Sequence, residues 1–263
     1  MADHIHVPDE TATLTSGGQI PLLGFGTWRL SDREAKDAVS YALEVGYRHI
    51  DTATMYQNES GVGSALMSSG IAREHVFVTT KLLPEAAGRE RQAIEQSLSA
   101  LGVDALDLWL VHWPPGGAAP EVWEQFVAAR AEGLTRAIGV SNYSLAQIDE
   151  LTAATGVTPE VNQVKWAPAR HDPDVFAGHR DRGVVLEGYS PFRAGRLDDP
   201  VIVEVAARHD VEPAQVVVRW HVQHGIVVIP KSTNPKRIAS NFDVFGFALD
   251  TDEVARIDAL GRG

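Results

Sequence analysis

Short runs of β-branched and apolar residues recur along the chain, each ending in a polar residue and followed by a longer segment of helical periodicity. "HIDT" passes into "NESGVGSALMSSG", "VFVTTK" into "GRERQAIEQSLSALG", and "LDLWLVHW" into "PEVWEQFVAARAEG". "RAIGVSN" precedes "SLAQIDELTAATG", "EVNQV" precedes "DPDVFAGHRDRG", and "IVVIPKS" precedes "NPKRIASNF". "GVVLEGYS" is followed by two helical segments, "DPVIVEVAARHD" and "EPAQVVVRWHVQHG". With "IPLLGFG" before "SDREAKDAVSYALEVG" at the front, eight strand–helix units repeat about every 30 residues. Nearly all-apolar strands alternating with helices predict a parallel sheet covered on its outer face. Eight such units in about 250 residues suit an α/β fold of the (β/α)8 barrel type better than a doubly wound sheet. The expectation is one barrel domain over residues 1–263, with 1–10 a flexible tail and extra helices near the C-terminus.

Several boundaries carry their own chemistry. "SDRE" at 31–34 predicts a capping box, Ser31 as N-cap and Glu34 reaching back. Gly46, Gly70, Gly102 and Gly133 stand where helices should close, glycine entering the left-handed conformation at least cost. "TLTSGGQIPL" alternates around Gly17-Gly18 and predicts a hairpin ahead of the first unit.

Composition narrows the function classes. The chain has 263 residues, 44% of them apolar, enough for a sizeable core. Its formal net charge of −12 argues against a nucleic-acid binder, which needs a basic face, although a local anion site stays open. Without cysteine there is no disulfide or thiol chemistry. "MADHIHVPDE" is acidic and has no apolar core of a secretory signal, and no apolar run approaches the roughly 20 residues of a membrane span. A cytoplasmic monomer without membrane partners is expected. "HIH" at 4–6 supplies two histidines but no third ligand, so no metal is expected.

In a barrel of this kind the chemistry gathers at the carboxyl ends of the strands. Those ends read "GFGTW" (24–28), Asp51, Lys81, His112, Ser141-Asn142, Gln163, Tyr189-Ser190 and Lys231-Ser232. Any one alone would be an ordinary turn or surface residue. Eight polar tips around one mouth predict a site. "KSTNPKRIASN" adds a separate signal: Asn234 is a good N-cap, Pro235 suits the first helical position, and Lys231, Lys236 and Arg237 crowd that helix start. Cations there oppose the helix dipole, which makes sense if an anion binds.

Taken with their order and spacing, "GFGTW", "YRHIDTATMYQNE", "VTTKL", "LDLWLVHWP", "RAIGVSN", "VNQV", "GYSP" and "IPKSTNPKRIASN" resemble the aldo-keto reductase family from Thr13 to about Leu260. The resemblance implies an NADPH-dependent carbonyl reductase acting on a small-molecule carbonyl, with a tetrad of Asp51, Tyr56, Lys81 and His112. It further implies that Gly26, Thr27 and Trp28 border the cofactor, that Ser141, Asn142 and Gln163 meet the nicotinamide carboxamide, and that Tyr189 stacks on its ring beside Ser190. Lys231, Ser232 and Arg237 would take the adenosine 2′-phosphate, with Asn241 near the adenine, so NADPH would be preferred to NADH. No G-x-G-x-x-G follows a first strand, so a Rossmann reading fails.

The tetrad is chemically coherent. Hydride addition to a carbonyl leaves an alkoxide that needs a proton, and a phenol with pKa near 10 is a weak acid for that task. Lys81 would lower it, Asp51 would keep Lys81 charged, and His112 would orient the carbonyl oxygen. Trp28, Met55, Leu83, Trp113 and Trp166 are expected to line the substrate pocket. "KLL" stands where the family often has "KLW", and "QVKWAP" where it has "QVEYHP". Short loops, "PPGGAAPE" and "SPFRAGRLDDP", and a close at "DALGRG" predict an open site for small aldehydes, α-dicarbonyls and activated ketones. Two rivals use the same residues: a non-catalytic NADPH-binding protein, disfavoured by the intact tetrad, and a metal-dependent barrel hydrolase, which leaves Tyr56 and residues 231–241 without purpose.

Overall fold

The computed structural model describes residues 10–193 and 196–262, so the "HIH" segment lies outside the described residues. A two-stranded antiparallel hairpin comes first, β1 (Thr11–Thr13) with β2 (Gln19–Pro21), its turn placing Gly17 at φ 89°. The repeating part then runs β3 (Phe25–Gly26), α1 (Asp32–Val45), β4 (His49–Asp51), α2 (Glu59–Ser68), β5 (Phe77–Leu82), α3 (Glu90–Leu101), β6 (Leu106–Val111) and α4 (Pro120–Ala131). It continues through β7 (Thr135–Ser141), α5 (Leu145–Thr155), β8 (Val161–Lys165), α6 (Pro173–Asp181) and β9 (Val185–Tyr189). The last part holds α7 (Pro200–His209), α8 (Pro213–Gln223), β10 (Val227–Val228), α9 (Pro235–Phe242) and α10 (Thr251–Asp258).

The eight strands β3 to β10 pair in chain order, every pair parallel. The ends meet: Leu23 bridges Val228, Gly24 N donates to Val228 O at 2.9 Å, and Gly26 N donates to Pro230 O at 3.0 Å. The sheet is therefore closed, and the expected barrel is what forms. "IPLLGFG" is not one strand, however. Its first residues finish the hairpin, and only Phe25 and Gly26 form the ladder strand β3.

Local signals act as their chemistry requires. Ser31 and Glu34 cap α1 reciprocally, the Ser31 amide donating to Glu34 at 2.8 Å. Gly46 and Gly102 are C-caps, whereas Ser69 and Glu132 cap α2 and α4, and Gly70 and Gly133 take the positive φ one residue later. Outward strand residues pack under the helices: Trp109 stacks on Phe126 of α4 at 3.7 Å. A second apolar cluster joins Leu186, Ile202, Val216, Trp220 and Ile257 on the C-terminal side. Among the described residues no helix is long and apolar enough to cross a membrane.

Candidate active site

Because side chains alternate along a strand, residues two apart share a face. On β5, Thr80 turns outward to Glu59 of α2 at 2.6 Å, so Thr79 and Lys81 face the barrel interior. On β4, His49 and Asp51 do likewise and both are buried. The wholly buried Lys81 ammonium donates to both Asp51 carboxylate oxygens at 2.7 Å and to the Thr52 carbonyl at 2.8 Å. It also lies 3.4 Å from the Tyr56 hydroxyl.

Tyr56 owes its place to the loop beyond β4. Residues Thr54–Tyr56 form one 3₁₀ turn, which Gln57 ends at φ 55°. Asn58 then ties the loop down, accepting from Thr52 at 2.8 Å and donating to the Thr27 and Leu30 carbonyls at 3.0 Å. The Tyr56 ring is flanked by Trp28 at 4.8 Å and by His112, edge-on, at 5.7 Å. His112 follows β6, and its Nδ1 is buried without a hydrogen-bond partner among the described residues.

Electrostatics divide these groups. Burial pulls the Lys81 ammonium down, but Asp51, with help from Tyr56 and Glu187, offsets it and holds the ammonium above its ordinary range. Burial pushes the Asp51 carboxyl up, against the pull of Lys81 and Gln163. Burial and the Lys81 charge lower His112 to about 3, so its ring is neutral. The expectation for Tyr56 needs correction. Lys81 does pull the phenol down, but burial outweighs it and the net direction is upward.

A cavity of about 470 Å³ opens over this group. Gly26, Trp28, Met55, Tyr56, His112, Trp113, Ser141, Asn142, Gln163, Tyr189 and Ser190 all border it, with Lys231 at its edge. Asn142 is fixed from both sides: its amide donates to the Ser141 hydroxyl at 2.9 Å, and its oxygen accepts from the Tyr189 hydroxyl at 2.9 Å. Gln163 donates to Asp51 at 2.8 Å. Thr27 is buried beside the site, its hydroxyl donating to the Asp51 carbonyl at 2.9 Å. Asn234 caps α9 by accepting from Lys236 N at 2.9 Å, Ser232 caps the preceding turn, and Arg237 stays exposed while Asn241 is buried.

Two expected pocket residues lie elsewhere. Trp166 is turned outward into the C-terminal cluster, and Leu83 caps a 3₁₀ turn away from the cavity lining. Alternation explains Trp166: Gln163 faces inward on β8, so Lys165 does too, and Trp166 must face out. Sequence reading also passed over Arg29, Lys165 and Arg193 on the cavity wall, and Glu187 beneath it. Among the described residues none of Arg29, Lys165, Arg193 and Lys231 lies within ion-pair distance of a carboxylate. Lys231 was legible from its motif, whereas Arg29, Lys165 and Arg193 were legible only as single letters.

The sequence profile of the Aldo/keto reductase family matches residues 22–262. The chain belongs to this family. It is 44% identical over 255 residues to methylglyoxal reductase DkgA of Salmonella typhimurium, covering 95% of this chain and 93% of that protein. Among solved structures, an aldo/keto reductase from Brucella melitensis superimposes with a TM-score of 0.92 at 42% identity, covering 97% of this chain and 100% of that one. An aldo-keto reductase of Bombyx mori in complex with NADP gives 0.90 at 35% identity, with 97% and 94% covered.

For an aldo-keto reductase, the donor set of this cavity fits a phosphorylated dinucleotide. Amides and hydroxyls at Ser141, Asn142 and Gln163 match a carboxamide, Tyr189 offers an aromatic face, and the unpaired cations match phosphates.

Proposed function

We propose that this aldo-keto reductase reduces small aldehydes and α-dicarbonyls to alcohols with NADPH, with Tyr56 as proton donor. The observation that carries the reading is the Lys81 ammonium, which spans Asp51 at 2.7 Å and the Tyr56 hydroxyl at 3.4 Å. With NADPH held in the cavity, the hydride for the carbonyl carbon would come from its nicotinamide. The electron pair of the carbonyl bond moves to oxygen, which takes the proton from Tyr56 Oη. Lys81 then faces a tyrosinate and stabilises it until solvent returns a proton. Neutral His112 beside the ring can donate one hydrogen bond to the carbonyl oxygen without adding charge.

Asn142, Gln163, Ser141 and Tyr189 would hold the nicotinamide end, with Gly26, Thr27, Trp28 and Ser190 bordering it. Lys231, Ser232, Arg237 and Asn241 would hold the adenosine 2′-phosphate end. Substrates would enter between Trp28, Met55 and Trp113, large side chains that remain partly exposed. The methylglyoxal reductase activity named for the Salmonella relative favours α-dicarbonyls among the candidates.

A panel of aldehydes and α-dicarbonyls, followed by NADPH absorbance, tests this. Tyr56→Phe should keep NADPH affinity and lose turnover by about 10²-fold or more. Near-normal turnover in a folded Tyr56→Phe variant would sink the assignment.

A further inference from the structure

β9 reads "VLEGY" from Val185 to Tyr189. Tyr189 faces the cavity, while Leu186 packs outward and Trp166 and His221 crowd the outer side of Gly188. Alternation therefore turns Glu187 into the barrel, one layer below Tyr189. It is wholly buried, and its register partner on β8 is Gln163, whose amide grips Asp51. His49, also wholly buried, brings Nε2 to 3.9 Å from Glu187 Oε1 and to 3.1 Å from Thr79 Oγ1. The His49 ring is seated against bare Gly24, where a Cβ would come within 2.6 Å of Nδ1. Barrel interiors are normally filled by branched apolar side chains. Neither Glu187 oxygen has a well-formed hydrogen bond among the described residues, so a charged carboxylate at this place would be costly.

We propose that Glu187 is a positioning residue for carbonyl reduction, a buried acid beneath the Asp51–Lys81 pair that acts on Tyr56 through the charge it adds to that pair. The inference rests on the reading of Tyr56 as proton donor. Burial, then repulsion from Asp51, raises the Glu187 carboxyl to about 8, with Lys81 offsetting part of the rise. At neutral pH the group is a neutral acid. When it ionises, its negative charge raises the proton affinity of both Lys81 and Tyr56.

The groups around it do not mask this change. His49 from β4 is lowered by burial to about 3, and on the outer side of β9 His221 of α8 is lowered to about 4 and His179 of α6 is lowered as well. Gln163 of β8 is an amide and Val227 of β10 is apolar. The histidines around this layer thus stay neutral as Glu187 ionises near pH 8, and the acid that faces it, Asp51, is itself raised by burial but held by Lys81 and Gln163. Reduction needs the phenol, so an ionised Glu187 keeps Tyr56 protonated to higher pH and extends activity into the alkaline range.

The test is Glu187→Gln in the full chain, with kcat/KM profiles for methylglyoxal reduction and for oxidation of a small alcohol, from neutral to alkaline pH. Reduction at neutral pH sets the plateau against which the limbs are read. The alkaline limb of reduction and the acid limb of oxidation should both move to lower pH by the same amount, about half a unit or more. A merely structural role would lower both plateaux and leave the limbs in place, and profiles that superimpose on wild type after scaling overturn the proposal. If the variant does not fold, infrared titration of the wild type decides. A protonated-carboxyl band lost near pH 8 supports the proposal, and the absence of such a band overturns it. A wild-type protein that turns over no carbonyl would bring down the proton-donor reading and this inference with it. Active wild type with immobile limbs removes this inference alone.

Discussion

Gln163 donates its amide to Asp51 at 2.8 Å across a sequence separation of 112 residues. Both residues sit on inward faces of strands on opposite sides of the barrel's polar interior. The contact satisfies one oxygen of a carboxylate whose other contacts come from Lys81. A charge-assisted hydrogen bond of this kind is worth roughly 1.5–3 kcal/mol. Gln163→Leu should lower stability by about that amount in chemical denaturation. It should also weaken NADPH binding, since the same amide is proposed to border the nicotinamide. A variant as stable as wild type would mean that Asp51 needs only Lys81.

Lys81→Met removes the partner of a buried carboxylate. Breaking such a pair typically costs about 3–5 kcal/mol, more than the pair itself contributes against an apolar replacement. Stability should fall accordingly, and reduction should nearly vanish. Adding Asp51→Asn should restore much of the stability and none of the activity. Equal instability in single and double variants, measured by denaturation, would show that the loss is one of packing rather than charge.

The nucleotide preference tests the start of α9. Lys231 and Arg237 flank a helix start whose N-cap, Asn234, is already in place. A contact with a 2′-phosphate worth about 1.4 kcal/mol favours NADPH over NADH tenfold. Arg237→Ala should weaken NADPH binding about tenfold or more and leave NADH nearly unchanged. Equal weakening of both nucleotides, by fluorescence titration, would place the phosphate elsewhere.

Acid should destabilise the fold through its buried histidines. Burial lowers His49 and His112 to about 3 and His221 to about 4, from an ordinary 6.5. The unfolded chain takes these protons near pH 6.5 while the folded chain refuses them, so the stability is fully present above 6.5 and is lost as pH falls toward 3. Replacing His221 with Gln should flatten the slope of unfolding free energy against pH by about one proton over that window. An unchanged slope would mean that His221 is not among the groups that govern acid unfolding.

What the sequence determined by itself were the features written in neighbouring residues. Period-two and period-3.6 patterns set the unit count, "SDRE" and "SLAQ" produced capping boxes at α1 and α5, and Asn234-Pro235 started α9. The tetrad was legible because Asp51 ends β4, Lys81 stands one residue before the end of β5 and His112 directly follows β6, and a barrel gathers such positions at one mouth. Tertiary structure decided what depends on closure and burial. Whether Lys165 or Trp166 faces the cavity turns on which face of β8 is inward, a one-residue phase that short strands leave ambiguous. The upward direction at Tyr56 follows from how completely the finished barrel and its loops exclude water, which outweighs the nearby Lys81 charge. The meeting of Glu187, Gln163 and Asp51 needs three strands brought round a closed sheet, and no local pattern encodes a distance across a barrel.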